Sequence, residues 1–221
     1  QSVSEISLQL LGSEFTAEEN ESMNNQPVRI ELSTVLLEDQ ALSQPYWLEK
    51  PIEGAMYQVD DQMDIGKAFN EPTISAMVSF YLEGQAFSYS IPVNYKVNDR
   101  VDGEVKQPLT VVPKINLSVS KESVFLIEGV SSEVTVTVDF QNQIVDGDLD
   151  FENLEKSQFK ILSVTDIPFQ MQRVYTVSFT LYGEESRFVT ARYTTSDGKS
   201  YNQTTNRILY KHIPNLTYFS P

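Results

Sequence analysis

The sequence predicts an all-β fold, built as two consecutive immunoglobulin-like or fibronectin-like β-sandwich domains. Three observations carry this expectation. Polarity repeats with a period of two along most of the 221 residues. β-branched and aromatic side chains fill the repeating runs. Turn residues interrupt the runs at short intervals, and no segment carries an apolar stripe of helical period.

Taken in order, "SEISLQLLG" opens the first domain, and "VRIELSTVLL" sets Val28, Ile30 and Leu32 on one face. The segment from Ala41 to Pro72 then loses all alternation. It reads as a long connection inside the first domain, of the kind that packs as an Ω-loop or carries function. "ISAMVSFYLEG" and "AFSYSIPVNYKV" follow, with a hairpin signal at Gly84. Pro108 and Pro113 bracket the short run "LTVVP", and the boundary falls near residue 114. The domains are therefore expected at 1–114, with the long aromatic loop at about 41–72, and at 115–221. Each has the roughly 100 residues of a single sandwich.

The second half opens with "INLSVS" and "SVFLIEG", then "EVTVTVDF", where Val134, Val136 and Val138 alternate with Thr135, Thr137 and Asp139. "DFENLEKSQF" is the best place for one short helix or turn. "QFKILSVT" and "RVYTVSFTLYG" follow. In the latter, Tyr175, Val177, Phe179 and Leu181 share one face, and Val174, Thr176, Ser178 and Thr180 the other. "FVTARYTTS" and "SYNQTTNRILYKHI" flank a turn at Asp197–Gly198. The halves show no sequence repeat.

Composition excludes several functions. A formal net charge of −15 repels phosphate backbones, so nucleic acid is not a partner, and anionic membrane surfaces are disfavoured. No apolar run approaches the roughly 20 residues of a membrane span, so no membrane insertion is expected. The charge also predicts a monomer in solution, with unpaired edge strands as the route to any association. The chain has no cysteine, which removes thiol catalysis, disulfides and cysteine-ligated zinc. It opens at Gln1 without a signal peptide and reads as a mature or excised fragment. Sequons at Asn20, Asn116, Asn202 and Asn215 matter only in a host that glycosylates.

Candidate chemistry is sparse. His212 is the single histidine. It cannot form a multi-histidine metal site, and its place in "YKHIPNL" suits a strand end or linker. "DGDLDFENLE" sets Asp146, Asp148 and Asp150 at alternate positions, like the start of a calcium loop. The EF-hand pattern then requires glycine at its sixth position and glutamate at its twelfth, where this chain has Phe151 and Ser157. A solvated acidic turn is the simpler account, and the three remain calcium candidates with no metal assigned. Asp60, Asp61 and Asp64 in "VDDQMDIG" are expected to lie exposed on the loop. No GxSxG turn and no glycine-rich phosphate loop is present. No catalytic residue and no cofactor is assigned, and the chain is read as non-enzymatic.

The aromatic loop holds the only tryptophan, Trp47, beside Tyr46, with Tyr57 further on. These three are the candidate glycan-binding residues, because exposed coplanar rings stack on sugar faces. The competing reading is packing, since Pro45 and Pro51 suit a rigid, folded-back loop.

"LSQPYWLEKP", then "GAMYQVDDQMDIG", then "PVNYKVNDRVDGEVKQPLTVVP" resembles a region of the large PIG-L (LmbE-like) deacetylases of Bacteroidetes-type bacteria, after their catalytic domain. The similarity runs from about Val28 to Pro113 and resumes at "ILYKHIPNLTYFSP". Between these it is mainly one of strand pattern. The Pro-Tyr-Trp-Leu element with the downstream Asp-Gly-Glu and Pro-Leu is its specific part. The resemblance implies a parent protein with an N-terminal zinc-dependent de-N-acetylase acting on N-acetylglucosamine-type substrates. Its His-Pro-Asp-Asp metal motif is absent here, so no catalytic residue carries over. It further implies a domain similar to class I glutamine amidotransferases beyond Pro221, neighbouring domains of the same polypeptide as partners, and a periplasmic or extracellular bacterial location. The chain would be an accessory β-sandwich pair in that protein, with glycan as the alternative partner.

Overall fold

The computed structural model describes residues 3–16, 29–37, 39–101, 103–125, 127–180, 186–210 and 216–220. Among them the chain is all-β. Its helical segments are the three-residue 3-10 turns Tyr46–Leu48, Gln62–Asp64 and Pro168–Gln170.

Two compact units divide the chain. One comprises Gln1–Ser43 and Lys67–Val112, the other Gln44–Gly66 and Pro113–Pro221. The division differs from a single cut at residue 114, because most of the long loop groups with the C-terminal half. A long-range tether joins the loop to that half: the Phe219 amide donates to the Gln44 side-chain oxygen at 3.1 Å, across 175 positions of sequence.

The first unit contains β1 (Val3–Leu10), β2 (Ser13–Thr16), β3 (Ser75–Leu82) and β4 (Gln85–Pro92), in the order β2-β1-β3-β4, all antiparallel. A separate hairpin pairs β5 (Asn94–Asp99) with β6 (Gly103–Pro108). The expected turn at Gly84 joins β3 to β4, where Gly84 takes the positive φ that a tight turn requires. Period-two alternation places Val78, Phe80, Phe87 and Tyr89 on one face, and Phe80 stacks on both Phe87 and Tyr89. Burial is nonetheless thin. Ile74 and Val111 are the buried apolar residues of this unit among those described.

The strand expected over Val28–Leu37 does not form over the described residues 29–37. A strand needs backbone hydrogen bonds to its neighbour, not side-chain contact alone. This run meets β2 through the Ser13–Thr34 hydroxyl pair, and the consecutive Val35, Leu36 and Leu37 break its alternation and lie exposed. "LTVVP" also forms no strand. Pro113 has no amide to donate, and Val111 exchanges hydrogen bonds with Ser43, through the Ser43 amide and hydroxyl. "SVFLIEG" forms no strand among its described residues either.

The second unit holds the main core. β10 (Phe159–Ile167), β11 (Gln172–Phe179), β8 (Ser132–Phe140) and β7 (Ile115–Val119) form one antiparallel sheet in that order. β13 (Ser200–Tyr201), β12 (Thr190–Thr195) and β9 (Gly147–Glu152) form another. A hairpin of β14 (Thr204–Ile208) and β15 (Leu216–Ser220) attaches beside β7, where the Leu117 amide reaches the Gln203 carbonyl at 2.8 Å.

The two sheets share one core. Ile115, Leu117, Val136, Val138, Tyr175 and Val177 come from the first, and Leu149, Phe151 and Tyr193 from the second. β8 follows its sequence pattern residue by residue, with Val134, Val136, Val138 and Phe140 inward and the threonines between them less buried. Phe140 meets Tyr193 edge-on, and Phe151 meets Phe159 and Phe179 the same way. Edge-to-face contacts between such rings add to the area that they bury. "DFENLEKSQF" contains the end of β9 and a turn, with no helix. Among the described residues no helix is long and apolar enough to cross a membrane.

Candidate functional site

The aromatic loop is held from within. Tyr46 and Trp47 lie on the first 3-10 turn, which two prolines bracket, and Pro45 is buried. The Gly66 amide donates to the Tyr46 hydroxyl at 3.2 Å, closing the loop across 20 residues. The two rings are 4.8 Å apart at 86°, edge to face, and both are half-buried. Rings at right angles cannot both lie against one flat sugar face, so this pair does not make the coplanar platform. Tyr57 is 56% exposed.

The acidic part of the loop surrounds Glu49. Lys50 pairs with Asp60, and Asp61 caps the second 3-10 turn by accepting from the Met63 amide at 2.9 Å. Partial burial pushes the Glu49 carboxyl above its ordinary range, and the nearby Asp60 and Asp64 charges push the same way against Lys50.

Asp146, Asp148 and Asp150 do not form a calcium loop's turn. The last two sit on β9, with exposed side chains, while Leu149 and Phe151 between them enter the core. Side chains two apart on a strand stand about 7 Å from each other, so their carboxylates diverge instead of converging. Asp146, before the strand, is engaged by Arg173. Among the described residues no group of three acids or histidines converges to hold a metal ion. His212 lies outside the described residues, as do the sequons Asn20 and Asn215. Asn116 sits in β7, where its side-chain oxygen accepts from the Thr205 hydroxyl at 2.7 Å.

Arg173 on β11, a residue that composition did not single out, joins several polar partners. Its Nε and Nη2 grip both oxygens of Asp166, directly across on β10, at 2.6 and 2.9 Å. Nη2 also reaches Asp146 at 3.0 Å. Nη1 donates to the Tyr193 hydroxyl at 3.1 Å, and that hydroxyl donates to the Val145 carbonyl at 2.7 Å. The forked pairing holds the Asp166 carboxyl below its usual range. Burial pushes Tyr193 up, and pushes Tyr175 beside it to about 12. A signal was present: Arg173 shares the strand parity of Tyr175 and Val177, which places a cation in the register of the core face.

At one end of the shared core the sheets part around a cavity of about 230 Å³. Val134, Val136, Phe151, Phe179 and Ala191 are among its apolar lining, and Lys121, Glu122 and Arg187 are its charged residues.

No protein-family model, curated protein or solved structure matches this chain.

Proposed function

We propose that the chain is a non-catalytic accessory module, which spaces and supports the zinc-dependent de-N-acetylase domain of a PIG-L-type protein. The observation that carries this reading is the inward engagement of the loop on which the resemblance rests. Tyr46 is bonded to the Gly66 amide, Trp47 packs edge-on against it, and Gln44 is tied to Phe219. A family-like element engaged in its own packing is the expected property of a spacer. The orders β10-β11-β8-β7 and β13-β12-β9 support an immunoglobulin-like sandwich for the second unit. They follow the strand arrangement of a seven-stranded constant-type domain, with four strands in one sheet and three in the other. The resemblance also supplies the proposed location, the bacterial periplasm or exterior, and the proposed partners, the neighbouring domains of the same polypeptide.

A second reading, glycan binding by the loop, rests on the exposed ring of Tyr57, which offers a flat apolar face. Fluorescence of Trp47, the only tryptophan, separates the two. The accessory reading expects emission partly shielded from acrylamide and unchanged by N-acetylglucosamine oligomers. A saturable shift on adding those oligomers favours the glycan module. Removing the module from the parent protein should lower the melting temperature or turnover of the deacetylase. An equally stable and equally active deletion variant overturns the accessory reading.

A further inference from the structure

We propose that the cavity at the end of the second unit's core is a binding site for a small amphipathic carboxylate, with an aryl or alkyl body of about ten heavy atoms. Three features of the cavity define this ligand class, and none of them involves the aromatic loop.

The first is the wall. Val134, Val136 and Phe151 belong to the buried core, and with Phe179 and Ala191 they give an apolar surface that water solvates poorly. The second is size. A dry apolar cavity of roughly 150 Å³ accepts benzene, and this one, at about 230 Å³, takes half as much again.

The third is charge. Among the described lining residues, Lys121 and Arg187 stand against one carboxylate, Glu122, a positive balance in a chain of net charge −15. Arg187 makes no hydrogen bond or ion pair among the described residues, and the Lys121 ammonium reaches the neutral Glu133 carbonyl at 3.4 Å. Two cations without carboxylate partners among the described residues, beside an apolar wall, favour a ligand with one apolar end and one anionic end. The segment carrying Arg187 is anchored, because Asn153 donates to the Phe188 carbonyl at 3.1 Å. The Phe188 ring projects almost wholly into solvent and offers a further apolar contact.

The test titrates the full chain with 4-phenylbutyrate and with its uncharged amide, following the methyl resonances of Val124, Leu154 and Ala191. Saturable shifts at those methyls are expected for the acid, with the amide about tenfold weaker, the worth of one charge-assisted hydrogen bond. Arg187→Gln, at an exposed position, should weaken the acid about tenfold and leave the amide unchanged. Ala191→Leu should block both ligands. If that variant proves misfolded, Arg187→Gln alone decides. No saturable shift at about 10 mM overturns the site, since binding would then be weaker than about 3 kcal/mol. Equal affinity for acid and amide overturns the anionic class, and points to a pocket for an apolar side chain of a partner protein.

Discussion

Arg173 and Tyr193 come from opposite sheets of the second unit, and one hydrogen bond of 3.1 Å joins them. Tyr193 passes the interaction to the Val145 carbonyl, and Arg173 passes it to Asp166 and Asp146. One guanidinium thus connects β10, β11, β12 and the segment leading into β9. Arg suits this place because its planar fork donates in several directions at once, which a lysine ammonium does not reproduce.

The first prediction concerns that network. Tyr193→Phe removes the link and leaves the Val145 carbonyl without its donor, at a cost of about 1–3 kcal/mol. Arg173→Met should cost a similar amount, because Asp166 and Asp146 lie far enough out to be rehydrated. Residues in one network are not additive, so the double variant should fall short of the sum by at least about 0.5 kcal/mol. Urea unfolding read by Trp47, which lies in this unit, measures all three variants. Strict additivity would mean that the two side chains act independently.

Acid and alkali should weaken the unit through different groups. Asp166 has a folded value below its ordinary 3.8, so its contribution is present above about pH 4 and disappears as pH falls through the folded value. Tyr175 is raised from 10.0 to about 12, so the folded chain keeps a proton that the unfolded chain releases. Its contribution is complete below pH 10 and lost as pH rises from 10 to 12. Asp166→Asn should flatten the acid side of a plot of urea midpoint against pH, and Tyr175→Phe the alkaline side. A Tyr175→Phe variant with the wild-type slope between pH 10 and 12 would contradict this assignment.

Gly147 opens β9 opposite Thr195. A Cβ there would run into the Thr194 carbonyl oxygen and come within 2.9 Å of the Tyr193 ring. The first obstacle is backbone in a paired strand and the second is a ring in the core, so neither gives way cheaply. Gly147→Ala should therefore destabilise the unit by about 1–3 kcal/mol, as overpacking does. Gly198→Ala is the comparison. It meets no atom within 4 Å, but it must hold a positive φ in the β12–β13 turn. A Gly147→Ala protein as stable as the wild type would show that β9 can shift away from β12.

The strands most legible in the sequence are those whose inward positions alternate without a gap. β8 and β11 are the clearest, because Val134, Val136 and Val138, and then Tyr175 and Val177, all enter the core. β9 shows the limit of reading charge first. Asp-Leu-Asp-Phe-Glu reads as a solvated acidic turn running into a short helix or turn, whereas Leu149 and Phe151 between the acids enter the core and make it a strand. Residues 29–37 show the converse: an alternating pattern lies beside the edge strand β2, joined to it by the Ser13–Thr34 hydroxyl pair, and forms no strand. The Arg173 network lay beyond local reading altogether. It joins residues 7, 20 and 27 positions apart, and only its parity on β11 was visible. The loop's link to the second unit includes a tether that spans 175 positions, beyond the reach of any local pattern.

Trp47 provides the last prediction. Its ring is half-buried, packs edge-on against Tyr46, and lies on a turn flanked by the buried Pro45. Complete burial of such a ring makes truncation to alanine cost about 3–5 kcal/mol. Half-burial should make Trp47→Ala cost about 2 kcal/mol, as loss of stability in the second unit. Trp47→Phe keeps the edge-to-face contact with Tyr46 and should recover most of that loss. Thermal unfolding followed by circular dichroism measures both without the fluorophore. If Trp47→Ala left the melting curve unchanged, the ring would be dispensable for packing. The loop would then have to be explained by what it binds, and Tyr57 would be the next ring to replace.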